Sequence, residues 1–211
     1  MKKTWLTLLP AFLVLLVAGS AAAYSIDFTS GSFAGAAGLN SFTLGVLGGT
    51  NEVTISASGG VLSHNAGVGL DGFGVASGIA ADETDEIASP ETIQIGFKYP
   101  VFISSMLMTN LFIENGYTQN GKYTLNGTGP SSAFIATEDI ILGTNGEIVI
   151  TGIPSIAISS ILFEAPIPDF GKLNEFSVAK IDASNVPIPS AVWLLGTGLI
   201  GLVGLRRKFQ K

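Results

Sequence analysis

Four carboxylates fall within five residues, at Asp82, Glu83, Asp85 and Glu86. Charges this close repel unless water or a shared cation separates them, and calcium takes about six to eight oxygen ligands, often from one loop. The set therefore offers a calcium site, and calcium is the one cofactor the chain suggests. The alternative is an acidic loop bathed in water. The spacing is not that of an EF-hand, whose acids alternate around a central glycine. Glu91, a little further on, is placed to cap or brace the strand that follows it. Carboxylate pairs also hydrolyse glycosidic bonds, but no spacing here selects one pair. His64 is the only histidine. One imidazole cannot build a histidine metal site, and no Gly-x-Ser-x-Gly elbow accompanies it, so a turn or strand-edge role is expected. The glycine-rich 67–78 stretch lacks the Gly-Lys-Ser/Thr ending of a phosphate loop. The chain has no cysteine, which excludes thiol catalysis, thiolate metal sites and disulfides. Phe73, Tyr99, Tyr117 and Tyr123 lie near turns and are the candidates to stack on sugar rings, ordinary sheet packing being the alternative. No residue is assigned a catalytic role, and an enzyme is not expected.

Strands must position these groups. Helix formers are scarce between Tyr24 and Asn185. Ile26 and Phe28 alternate with polar neighbours, as do Val53 and Ile55, Ile93, Ile95 and Phe97, Tyr123 and Leu125, Ile148 and Ile150, and Phe176 and Val178. Period-two patterning with β-branched and aromatic residues predicts half-buried strands. Turn signals separate them: Gly48-Gly49, Gly59-Gly60, Asn115-Gly116, Asn120-Gly121, Asn126-Gly127 and Asn145-Gly146. About ten strands at this spacing predict an all-β fold, a single β-sandwich of jelly-roll-like form. Phe102–Phe112 and Ile156–Phe163 are apolar on both faces and should run through the middle of a sheet. Pro166-Ile167-Pro168 breaks the chain before a final strand from Leu173 to Ile181, and Ala183–Asn185 reads as a short linker.

Charge is unevenly distributed. All 16 acidic residues, but only four of the ten basic ones, lie between Asp27 and Asp182, so the body carries a formal charge of −12 against −6 for the whole chain. Such a body does not suit nucleic acid, whose binding requires phosphate neutralisation. It suits solubility, with divalent cations as natural counterions.

The two ends read as addresses. Lys2 and Lys3 precede an apolar stretch from Leu6 to Ala18 and then Ala21-Ala22-Ala23. This is the pattern of a secretory signal peptide (residues 1–23) delivered to the secretory translocon, with Ala21 and Ala23 as the small residues of the cleavage site. An uncleaved anchor is the alternative. At the other end, Val186-Pro187-Ile188-Pro189 leads into an apolar run from Ala191 to Leu205 and then Arg206-Arg207-Lys208. The prolines force an extended approach, so a helix is expected from about Ser190. Trp193 would sit at one interface and the basic residues would hold the other end in the cytoplasm. Gly196, Gly198, Gly201 and Gly204 would admit a close helix neighbour, the alternative being a plain single-pass anchor with incidental glycines.

The segment Val186–Lys208 resembles the PEP-CTERM sorting signal in its proline-variant form, near the VPLPA type. Pro187-Ile188-Pro189 matches the Pro-Glu-Pro core, with Ile188 in place of the glutamate. Gly74-Val75, Asp85-Glu86-Ile87 and Glu91 through Phe97 resemble a run found in the extracellular β-domains of the same family. The resemblance implies export in a Gram-negative bacterium, a transient hold at the inner membrane, and processing by an exosortase-like enzyme. It implies a cell-surface, outer-membrane or extracellular location afterwards. The expected organisation is a leader (1–23), an extracellular β-domain (24–185) and a sorting tail (186–211). The expected role is structural or adhesive, linked to exopolysaccharide and biofilm. The alternatives are a carbohydrate-binding module, with or without calcium, and then a secreted glycoside hydrolase.

Overall fold

Residues that alternate apolar and polar build strands because one face of a strand can bury while the other stays wet. A computed structural model describes residues 23–65, 72–77, 86–139, 145–167 and 174–186. The expectations placed on Ala21, Asp82, Glu83, Asp85 and residues 187–211 lie outside them. The described chain is all-β: β1 (Ala23–Asp27), β2 (Ser41–Val46), β3 (Asn51–Ser58), β4 (Val61–Asn65), β5 (Gly72–Ala76), β6 (Ile87–Ala88), β7 (Thr92–Thr109), β8 (Phe112–Glu114), β9 (Tyr117–Thr118), β10 (Asn120–Leu125), β11 (Ser132–Ile135), β12 (Glu138–Asp139), β13 (Ile148–Ile150), β14 (Ile158–Glu164) and β15 (Glu175–Asn185). Short 3-10 stretches at Gly31–Ala36 and Leu47–Gly49 are the only helical pieces among the described residues. None is long and apolar enough to cross a membrane.

Twelve of these strands form one sheet, with the path β11-β10-β14-β7-β15-β5-β4 and with β1, β2, β3, β6 and β13 attached to its members. All its pairings are antiparallel. A small separate sheet joins β12, β8 and β9.

The spine is β7, 18 residues long. Its first half lies between β3 and β14, and its second half between β15 and β13. The inward side chains of both halves meet in one apolar cluster that includes Ile55, Ile95, Phe163, Met106 and Ile181. Phe28, Phe33 and Phe73 pack edge-to-face within it, with ring centroids 5.2 to 5.8 Å apart.

Three local expectations are corrected. Ala183–Asn185 is not a linker. It is the end of β15, paired with Ile103, Phe102 and Val101 of β7, and Ala183 is 2% exposed. Its backbone groups are taken up by the sheet, which a three-residue sequence pattern does not reveal. Asn120-Gly121 is not a turn. It opens β10, where Asn120 is tied to the buried Asn174 and a Cβ on Gly121 would collide with Phe134 and Phe176. The glycine serves packing there rather than a left-handed turn. Finally, the alternating Ile93–Phe97 pattern and the apolar Phe102–Phe112 run are largely one strand, continuous through Lys98-Tyr99-Pro100.

Candidate functional site

The alternation of β7 is interrupted where its register against β14 shifts, and Lys98, Tyr99 and Pro100 are all exposed. Asn51, only 2% exposed, fixes this point of the strand. Its side-chain Nδ2 donates to the Tyr99 carbonyl (2.7 Å) and its Oδ1 accepts from the Tyr99 amide (3.0 Å). The Asn51 side chain thereby satisfies both backbone groups of Tyr99 and holds them in place. The ring of Tyr99 stays 58% exposed.

Of the four aromatic candidates, this is the only one presented to solvent. Phe73 is fully buried and Tyr123 is 7% exposed. Tyr117 is half-buried, with its hydroxyl donating to Asn174 Oδ1 at 2.8 Å. Burial of Phe73 and Tyr123 in sheet packing removes them as sugar platforms.

Beside Tyr99, Lys98 Nζ donates to Glu52 Oε1 at 2.6 Å and lies 5.9 Å from the tyrosine ring centroid. The hydrogen bond and charge of Glu52 raise the Lys98 pKa. Away from this pair, the outward faces of β2, β3 and β7 carry hydroxyl ladders. Thr43 and Thr54 are hydrogen-bonded at 2.9 Å, and so are Ser41 and Ser56. Register places Gly96 beside Thr54 and Gln94 beside Ser56, while Gly45 faces Glu52 across β2 and β3. The face is hydroxyl-rich and its two charges, Lys98 and Glu52, are paired.

Gly45, Gly96, Asn51 and the paired hydroxyls were not singled out by sequence. The signal available was a glycine at an outward position inside an otherwise alternating strand.

The acidic segment resolves differently. Glu86 is 6% exposed and its carbonyl accepts from Val75 N, joining it to β5. Its burial takes it out of any loop fully bathed in water. Glu91 is 1% exposed and its Oε2 accepts from Ala88 N at 3.0 Å. It braces the turn from which β7 starts. Among the described residues no group of three or more His, Asp or Glu is placed to hold a metal. His64 lies in β4, with Nε2 2.8 Å from the Phe28 carbonyl and its ring against Phe73.

No family model, curated protein or solved structure matches this chain. The meaning of the site therefore rests on its own chemistry.

Proposed function

We propose that the chain is an exported protein whose all-β body is a jelly-roll-like sandwich. It is held at the inner membrane by its C-terminal segment and then processed by an exosortase-like enzyme. It serves as a structural or adhesive component of a cell-surface or exopolysaccharide matrix. One observation carries the reading. Tyr24, the first residue of the expected body, pairs with Ala183, three residues before Val186 of the sorting motif. Antiparallel partners are about 5 Å apart, so the first and last strands of the body end side by side. A body tethered to one membrane by both chain ends during export needs this arrangement, since neither end then has to cross the domain. The strands from Ala23 to Asn185 also form one compact unit by themselves, as a domain released by cleavage must.

The test is the intact mass of the mature protein from its native host, beside a Pro187→Ala, Pro189→Ala double variant. Loss of the leader in both, with loss of the segment after about Val186 in the wild type alone, is the expected outcome. A tail retained in both would reduce the protein to an anchored β-domain and overturn the sorting role.

A further inference from the structure

We propose that the outward face of β2, β3 and the first half of β7, closed at one end by Tyr99, binds an uncharged polysaccharide chain. The assignment deepens the matrix role above by naming what the body holds, and it rests on that reading only for its biological setting.

Three independent features point to this ligand. The first is Tyr99, the one aromatic ring among the large apolar side chains that the described residues leave exposed. Its backbone is locked by Asn51, so little backbone freedom remains to be lost on contact. A tyrosine offers an apolar face for a sugar ring and a hydroxyl at its edge.

The second is the pair of glycines. Nothing lies within 4 Å of where a Cβ on Gly45 would sit, and the only such atom for Gly96 is Thr54 O at 3.9 Å. Neither has the positive φ that would demand glycine. The fold thus tolerates a side chain at both positions, although a strand-interior glycine costs about 0.5–1 kcal/mol relative to alanine. What their bareness provides is uncovered backbone beside Glu52 and Thr54. A strand glycine free of a bulge or a close backbone neighbour is a place where a ligand can approach the backbone.

The third is charge. The only ions beside Tyr99 on this face, Lys98 and Glu52, neutralise each other, while the body as a whole carries −12. An acidic chain is repelled and an uncharged one is not. Hydroxyls that both donate and accept, as on Thr43 and Thr54, match the hydroxyls of a glycan. The rows repeat about every 6.6 Å along the strands, which suits an extended polymer better than one sugar in a pocket. A second copy of the chain is a poorer occupant, because stable sheet-to-sheet contacts require an apolar face.

The full chain, purified in mild detergent, should be retained on an insoluble uncharged β-glucan in the presence of EDTA, and not on polyuronate beads. Tyr99→Ala should weaken retention by about tenfold, the order of one lost aromatic contact. Gly96→Val should weaken it by a similar factor by covering that backbone, while its melting temperature stays at or above that of the wild type. Val149→Ser, exposed on β13, should bind as the wild type does. Several results would overturn the proposal: no retention of the wild type, equal retention by Tyr99→Ala and Gly96→Val, a preference for polyuronate, loss of binding in chelator, or self-association abolished by Gly96→Val. If Tyr99→Ala does not fold, Gly96→Val decides. Failure here beside correct tail processing would remove the glycan face and leave the sorting role standing.

Discussion

β7 pairs residue for residue with β3 from Thr92 to Phe97 and with β14 from Thr92 to Gly96. From Val101 to Thr109 it pairs with β15 through two register shifts, and with β13 over only three residues. The first half alternates strictly and leaves its outward side to solvent. The second buries Met106, Met108 and Thr109, so side chains on both of its faces are covered. Regular pairing leaves one face exposed with spare chemistry. Irregular pairing, with bulges that twist and bend a strand, carries β15 and, beyond it, β1. One strand thus supplies the surface and the closure.

The comparison can be broken most directly in the core. Phe163→Ala, beneath the regular half, should cost about 3–5 kcal/mol, while Met106→Ala, where bulged neighbours can relax into the space, should cost about 2 kcal/mol. Urea unfolding of the two variants measures this, and equal losses would mean that the irregular half is packed as rigidly as the regular one. Asn51→Ala tests the joint between the halves. It strips the Tyr99 amide and carbonyl of their partner and should cost about 1–3 kcal/mol, with faster hydrogen exchange at the Tyr99 amide.

A smaller effect belongs to Asp182 on β15. Burial pushes its pKa up, but hydrogen bonds from Ser105, Lys180 and Ser25 outweigh it and leave the pKa lowered. A lowered carboxylate pKa contributes stability that is present above the unfolded value, near ~3.9, and is lost as pH falls through the folded one. Asp182→Asn should therefore cost at most about 1 kcal/mol at neutral pH, since the side chain is partly exposed. The gap to wild type should close below about pH 4. Thermal melts across pH 2 to 7 read this, and a gap independent of pH would assign the loss to packing. The smallest change is expected at Gly96→Ala, which should raise stability by about 0.5 kcal/mol because the site is open and the strand gains a Cβ. A loss instead would mean that the face packs more tightly than its geometry indicates.

The same contrast explains what could be read in the chain. Val53, Ile55, Ile93, Ile95 and Phe97 announce their strands because each has one dry and one wet face. Of the two runs apolar on both faces, Phe102–Thr109 and Ile158–Phe163 lie inside the sheet as that pattern predicts, whereas Ile156 precedes its strand and is exposed, and Phe112 opens β8 of the small sheet. Strands of two residues, such as β6 and β9, are too short to carry a period. The run to Asn185 is held by partners more than seventy residues away in β7, which no local pattern encodes. Tyr99 was legible as a turn-proximal aromatic, but its separation from Phe73 and Tyr123 depended on burial. The hydroxyl face of β2, β3 and β7 was hidden because serines, threonines and glycines on a strand read as filler until register aligns them.

The pairing of β1 with β15 also sets a clock. Tyr24 cannot meet Ala183 until nearly the whole body has been made or delivered. Contacts so far apart in sequence are slow to form, because loop closure must precede any gain from them. Until the eleven residues of β15 arrive, β7, β5 and β6 lack a neighbour and their unpaired edges invite other chains. The last strand to appear is therefore the one on which the folding of this protein waits.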